Sequence, residues 1–352
     1  MCPGITGCWG FFIGTNLYTI VKYGILYRVV HIFEQGEKTV GNREPSISIK
    51  AYAKINLGLD ITGRNEEGYH DLKTVMQQIE LCDVINLYAE AEISGSGEPG
   101  QILISCDDSL IPADETNLAY KAARLLFDEF EITDSLLIEI EKNIPMTAGL
   151  AGGSTDAAAV LKGVNEYFGL GLSAEELMTR GKTLGADVPF CIMGGTAYAE
   201  GIGEKLIPLG ALDELTVLVA VPDTRVSTKW AYSNYDKVAL RGEVVHPDID
   251  QLRAAIEMED FGCVPEFLGN VLEYATIPEY PIIAKVKETM MRNGAAGALM
   301  SGSGPSVYGL FVDEEKAAAA FDALASKELV PGLDGQVIVP EERIFLTAFH
   351  NA

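Results

Sequence analysis

The sequence predicts an α+β protein of two domains, and three observations carry that reading. The chain of 352 residues is too long for one domain of roughly 150 residues and can bury more than one core. Residues 47–57 alternate apolar and polar with a period of two, as a half-buried strand does. Residues 145–159, PMTAGLAGGSTDAAA, carry a glycine-rich turn straight into an amphipathic helix.

Composition bounds the function before any motif is read. With 48% hydrophobic and 22% charged residues the chain is an ordinary globular protein, but its formal net charge is −25. So acidic a chain is not expected to take nucleic acid or an anionic membrane surface as its main partner. Cys2, Cys8, Cys82, Cys106, Cys191 and Cys263 lack the paired spacings of a zinc site or a small disulfide framework, so they read as free thiols of a cytoplasmic protein.

Residues 1–45 read as an extension of uncertain structure. The stretch from Met1 to Val21 is uncharged and holds Trp9, Phe11 and Phe12, but Lys22 and Arg28 break the apolar run. It lacks the basic start and small-residue cleavage site of a secretory signal, and it is short and impure for a membrane span. Residues 36–46 read as a polar linker.

In the strand from Ile47, the apolar face holds Ile49, Ala51, Ala53, Ile55 and Leu57. Lys54 and Asn56 fall side by side on the polar face, where the expected surroundings are solvent. Residues 63–72, GRNEEGYHDL, form a turn-rich loop ending in Tyr69 and His70. Strands follow at 73–88 and 101–106, a helix opens at Thr116 or Asn117, and a strand over 135–142 leads into the glycine turn.

In that turn Gly149, Gly152 and Gly153 permit backbone angles that aim several N–H groups into one concavity, with Ser154 and Thr155 as the helix start. Amides at a helix N-terminus suit a phosphate. Ser173 and Glu176 form a capping box for the next helix, which GADVP at 185–189 stops. Asp187 then sits in a tight turn with Val188 extended before Pro189. Residues 190–206 read as two short strands. After a boundary near 208–213 come a strand at 215–221, helices at 227–235, 248–258, 281–292 and 314–324, a strand–loop–strand unit at 294–311 and a last strand at 343–349.

Four separated features agree on one chemistry: Lys54, the loop at 149–155, Asp187 and the second glycine loop at 301–305. In this order and spacing they resemble the GHMP kinase superfamily. AYAKINLGLDITGRNEEGYHDL, IPMTAGLAGGSTDAAAVLKGVN, LGADVPFCIMGGTAYAEGIGE and GALMSGSGPSVYGLF are similar to the signatures of its members that act on a cytidyl diphosphate sugar alcohol in the non-mevalonate route to isoprenoid precursors. The resemblance runs from about Ile47 to the C-terminus. It implies two α+β domains, 46–210 and 211–352. The first is like domain 2 of ribosomal protein S5 and binds ATP; the second is ferredoxin-like. It implies ATP and Mg2+ as cofactors, a small-molecule substrate, and a monomer or homodimer.

By the same resemblance Lys54 and Asp187 are the catalytic pair. Pro145, Met146, Thr147, Ala148, Gly149, Leu150, Ala151, Gly152, Gly153, Ser154 and Thr155 hold the ATP phosphates, Asn117 lies near the adenine, and Ser154 or Thr155 are candidate Mg2+ ligands. Tyr69, His70 and Tyr232 hold the cytosine, and Asn56 the sugar alcohol. Two departures from the usual GLGGGSS run are Ala151 for a glycine and Thr155 for the second serine. A kinase of homoserine or mevalonate is the competing expectation, and the GYHDL loop speaks against it because those substrates have no base to stack. No lysine adjoins the glycines in the sequence, so the positive charge is expected from Lys54.

Overall fold

The computed structural model describes residues 18–22, 25–29, 44–89, 99–212, 215–325 and 338–351. The apolar stretch before Tyr18, nearly all of the polar linker, and most of the connection between the second and third expected strands lie outside these residues. The chain forms two compact units, Met1–Glu44 and Pro45–Ala352.

In the first unit β1 (Tyr18–Lys22) pairs antiparallel with β2 (Ile25–Val29), from Tyr18 opposite Val29 to Lys22 opposite Ile25. Both segments are rich in β-branched and aromatic residues, a preference that the sequence reading of an extension without assigned elements passed over. No described helix is long and apolar enough to cross a membrane.

The second unit is built on two long antiparallel strands, β3 (Ile47–Arg64) and β4 (His70–Ala89). Next come β5 (Ile102–Cys106), α1 (Leu118–Glu129) and β6 (Leu136–Glu141), followed by α2 (Gly152–Tyr167), α3 (Ala174–Gly181) and α4 (Val188–Met193). The hairpin of β7 (Thr196–Gly201) and β8 (Lys205–Pro208) completes the first half. One edge of β4 is taken by β3; the other is shared by β6 near its C-terminal end and β7 near its N-terminal end. The apolar faces of α1, α2 and α4 cover this sheet, with Leu126, Phe127, Val160, Leu161 and Ile192 packed on Ile85, Leu87, Ile138 and Ile140.

Beyond it follow β9 (Thr216–Ala220), α5 (Thr228–Ala239), α6 (Ile249–Glu257), β10 (Gly269–Asn270), α7 (Glu273–Glu279) and α8 (Ile282–Arg292). The chain ends with β11 (Gly297–Met300), β12 (Val307–Phe311), α9 (Glu314–Ala325) and β13 (Ile344–Ala348). These give a four-stranded antiparallel sheet in the order β11-β12-β9-β13, while β10 crosses over to pair parallel with β3. Apolar clusters join the two sheets: Ala53, Ile55, Leu57 and Val75 pack with Val217, Val219, Tyr308 and Leu310, and Leu59 and Ile61 belong to a second cluster with Leu218, Ala220 and Val307.

Most expected elements are present within a few residues of their predicted limits. The two short strands expected within 190–206 are present as β7 and β8, but Phe190–Met193 ahead of them is helical, because α4 starts after Asp187 with Pro189 in its first turn, where a missing N–H costs nothing; Val188 is helical too, not extended. The two-residue strand β10 and the helix α7 were not expected.

Candidate active site

The cleft that unites the predicted residues starts from irregularities in β3. Its pairing with β4 slips between Tyr52 and Lys54 and again between Asn56 and Gly58. A β-bulge leaves backbone groups outside the ladder, and here they bind other parts of the site. At the first bulge the Lys54 N–H donates to the Leu150 carbonyl at 3.1 Å, and the Tyr52 carbonyl accepts from the Thr155 hydroxyl at 2.7 Å, docking the glycine loop on the strand. At the second the Asn56 carbonyl accepts from Tyr308 Oη at 3.0 Å and the Gly58 carbonyl from Thr74 Oγ1 at 2.6 Å.

Lys54 and Asn56 are on one face, as the period of two requires, but that face is not solvated. Lys54 is 4% exposed and Asn56 3%. Lys54 Nζ donates to Asn56 Oδ1 at 2.8 Å, and Asn56 Nδ2 donates to Thr74 Oγ1 at 2.9 Å. The carboxylate nearest Lys54 Nζ is Asp187, 3.9 Å away at the start of α4, with a side chain 40% exposed to the cleft. The ammonium is therefore dry and fixed, and it retains hydrogens that Asn56 alone does not satisfy.

The glycine loop departs in detail from its sequence reading. Left-handed backbone falls at Thr147, Gly149 and Ala151, with φ of 49°, 79° and 59°, while Gly152 and Gly153 are already the first residues of α2. Gly149 is held to glycine twice over: a Cβ there would stand 2.2 Å from the Ser301 carbonyl oxygen. Ala151 takes a conformation strained for any residue with a Cβ, at the N-cap of α2, and no side chain caps that helix. Its first amides are thus left for a ligand. Thr155 is a correction. Its hydroxyl is spent on the Tyr52 carbonyl and does not reach the cleft, whereas Ser154 does line it.

The second glycine loop buttresses the first. Ser301 Oγ donates to the Gly149 carbonyl at 3.0 Å, and Asn270 Nδ2 donates to the carbonyls of Met300 and Gly302, each at 2.8 Å. Asn270 is delivered by β10, which gives that short strand its purpose.

A second buried lysine was missed. Lys142, at the end of the β6 connection, lies under α2: a Cβ added to Gly152 would meet Lys142 Nζ at 3.0 Å. No lysine adjoins the glycines in the sequence, yet Lys142 stands beside Gly152 in space. Lys142 is shared by Asp83 and, at 2.7 Å, by Asp156, all three nearly inaccessible. Burial opposes its charge, but Asp156 and Asp83 outweigh it and hold Lys142 above the ordinary lysine value. Asp83 Oδ1 accepts from the Asn143 and Ile144 amides at 2.6 and 2.8 Å, whereas Asp156 Oδ1 has no partner. Burial and the neighbouring Asp83 charge push Asp156 up to about 8.

At the far end of the cleft Tyr69, 59% exposed, tips the β3–β4 turn. The His70 ring lies beside that of Tyr232 on α5, centroids 5.0 Å apart, and His70 Nε2 meets Asp236 Oδ1 at 2.8 Å. Burial and the Asp187 charge hold the Tyr232 phenol above its ordinary value. Asn117 borders the opposite end. It caps α1 by accepting from the Ala119 amide at 2.8 Å and donates to the Pro112 carbonyl, so its side chain is already engaged.

Apart from Thr155, all the candidate catalytic, ATP-binding and substrate-binding residues expected from the sequence line one cleft of about 1330 Å³, and Gly302 and Ser303 of the second glycine loop line it with them. Sequence reasoning missed Thr74, Lys142, Asp156 and Asp236, which line it too. Among the described residues no cluster of three or more His, Cys, Asp or Glu is arranged to hold a metal ion. All four described cysteines, Cys82, Cys106, Cys191 and Cys263, are free.

Comparison with known proteins identifies the family. The GHMP kinases N terminal domain family matches residues 117–195, and the GHMP kinases C terminal family matches residues 239–330. The chain is 44% identical over 283 residues to the 4-diphosphocytidyl-2-C-methyl-D-erythritol kinase of Acetivibrio thermocellus, covering 80% of this chain and 96% of that one. To the kinase of the same name from Caldicellulosiruptor bescii it is 45% identical over 278 residues, covering 79% and 94%. A crystal structure of 4-(cytidine 5'-diphospho)-2C-methyl-D-erythritol kinase superposes with a TM-score of 0.68 at 29% identity, over 87% of this chain and all of the other. The chain therefore belongs to the 4-diphosphocytidyl-2-C-methyl-D-erythritol kinases, a phosphotransferase family among the GHMP kinases.

Proposed function

We propose that this protein transfers the γ-phosphoryl group of ATP to the 2-hydroxyl of 4-diphosphocytidyl-2-C-methyl-D-erythritol, with Lys54 and Asp187 as the catalytic pair. The observation that carries the reading is the pairing of a dry lysine, tied to a neutral amide, with a cleft-facing carboxylate 3.9 Å away. Asp187 orients the hydroxyl and accepts its proton. Lys54 stabilises the negative charge that develops as the phosphoryl group passes. Since phosphoryl transfer needs little covalent help, holding the two substrates in line supplies most of the rate.

The ATP phosphates occupy the loop at 145–155, against the uncapped amides of α2, and Asn117 borders the adenine end. The donors present fit Mg2+ carried mainly by the triphosphate, with Ser154 and Asp187 as protein oxygens at its edge; Thr155, committed to Tyr52, does not join them. Bound there, the ion neutralises phosphate charge that this acidic chain does not offset alone. Asn56 positions the sugar alcohol, and Tyr69, His70 and Tyr232 enclose the cytosine. We retain the division into 46–210, like domain 2 of ribosomal protein S5, and 211–352, ferredoxin-like, as part of the proposal, along with a cytoplasmic location and a monomeric or homodimeric state.

The test is product identification with the purified protein. Incubation with ATP, Mg2+ and the cytidyl substrate is expected to give a new phosphomonoester by phosphorus NMR. ATP turnover that leaves the sugar alcohol unmodified would refute the assignment.

A further inference from the structure

Tyr232 and Asp236 are four residues apart in α5 and so share one face of that helix. From this face Asp236 reaches both ends of the β3–β4 turn. Its Oδ1 meets His70 Nε2 at 2.8 Å and its Oδ2 pairs with the Arg64 guanidinium. Arg64 and His70 are themselves cross-strand partners. The turn between them carries Tyr69 and is closed from within: Arg64 Nη1 donates to the Gly68 carbonyl at 2.9 Å, and Asn65 Oδ1 accepts from the amides of Glu67 and Tyr69 at 3.1 and 2.9 Å.

A carboxylate beside a guanidinium is ionised and only accepts, so His70 Nε2 carries the hydrogen and the imidazole is fixed in orientation. Burial would raise the Asp236 carboxyl, but the hydrogen bonds and charges of His70 and Arg64 hold it below the usual aspartate range. One wall of the aromatic slot thus stands on α5, the other on the β3–β4 turn, and Asp236 ties them across the 166 residues that separate it from His70.

We propose that Asp236 is a positioning residue for the cytidyl end of the substrate: by holding Arg64 and His70 it fixes the Tyr69 turn opposite Tyr232, so the base enters a slot already formed. The inference rests on the substrate proposed above. Ordering a loop on binding costs affinity that a pre-built wall saves, and that saving is specific to the substrate that uses the wall. A tie that merely stabilised the fold would not distinguish the cytidyl substrate from ATP.

The experiment is steady-state kinetics on the full-length protein, varying each substrate in turn, for wild type, Asp236→Asn and Asp236→Glu. Loss of two charge-assisted hydrogen bonds in Asp236→Asn is expected to raise KM for the cytidyl substrate about tenfold or more. KM for ATP and kcat at saturation should change less than about threefold, and Asp236→Glu should recover part of the loss. Calorimetry with CDP, which has the base and diphosphate without the sugar alcohol, should show the same weakening. An unmoved cytidyl KM, or equal changes in both KM values, overturns the role of Asp236 while leaving the substrate assignment intact. Wild-type protein that fails to phosphorylate the cytidyl substrate overturns the assignment itself. If Asp236→Asn does not fold, Arg64→Lys, which weakens the other end of the tie, carries the same comparison.

Discussion

Two lysines lie within reach of the same cleft, and both side chains are only about 5% exposed, yet they are placed for different work. Lys54 has a neutral amide as its close partner, and its nearest carboxylate stands 3.9 Å away facing the cleft. Lys142 is enclosed by two buried carboxylates, one backed by two backbone amides. A buried cation is available to a substrate only if its charge is not already balanced, so burial alone does not identify the reactive lysine; the carboxylates around it do. Lys54 can serve a phosphoryl group, whereas Lys142 holds the end of β6, the start of α2 and β4 together beneath the glycine loop.

The contrast can be broken most severely at Lys142. Lys142→Met strands Asp83 as an unpaired buried carboxylate beside Asp156, which is expected to cost about 3–5 kcal/mol in a denaturant titration. Stability within about 1 kcal/mol of wild type would mean that the cluster is not structural. Lys54→Met should do the reverse, leaving the folded protein intact and lowering kcat on the order of 100- to 1000-fold, the usual loss of one charge stabiliser. A rise in KM with kcat unchanged would reassign Lys54 to binding. Asp187→Asn is expected to bind ATP normally and to lose turnover by about 100-fold or more; unchanged turnover removes it from the mechanism.

A pH dependence follows from Asp156, whose carboxyl is raised from 3.8 to about 8 in the folded chain by burial and Asp83. The folded state then holds a proton that the unfolded chain releases, so this contribution to stability is complete below about 3.8 and is lost as pH rises through about 8. Asp156→Asn should flatten that part of the stability profile, measured by thermal unfolding across the range. A slope identical to wild type would assign the dependence to other groups.

The sequence made β3, the glycine loop, Asp187 and the order of most helices and strands legible, because each is written in local periodicity or turn chemistry. Long-range placement was not written there. Lys54 and Asn56 fall on a polar face by period, and distant segments enclose them there: the glycine loop docked through Leu150, Asp187 at the start of α4, Thr74 of β4 and Gly302 of the second glycine loop. The carboxylates of Lys142 stand 14 and 59 residues away, and His70 and Arg64, which Asp236 ties, stand 166 and 172 away from it, so no spacing marks them as partners. The turn chemistry points to Ser154 and Thr155 as the helix start, two residues late, because Ala151 supplies the left-handed turn and lets both glycines enter the helix. The four apolar residues of Phe190–Met193 are too few for periodicity to separate helix from strand.

The most direct test of the whole account is ADP formation by the full-length protein with the cytidyl substrate, homoserine and mevalonate assayed side by side. The account predicts ADP with the cytidyl substrate alone, abolished in Lys54→Met; ADP with homoserine or mevalonate and none with the cytidyl substrate would contradict it.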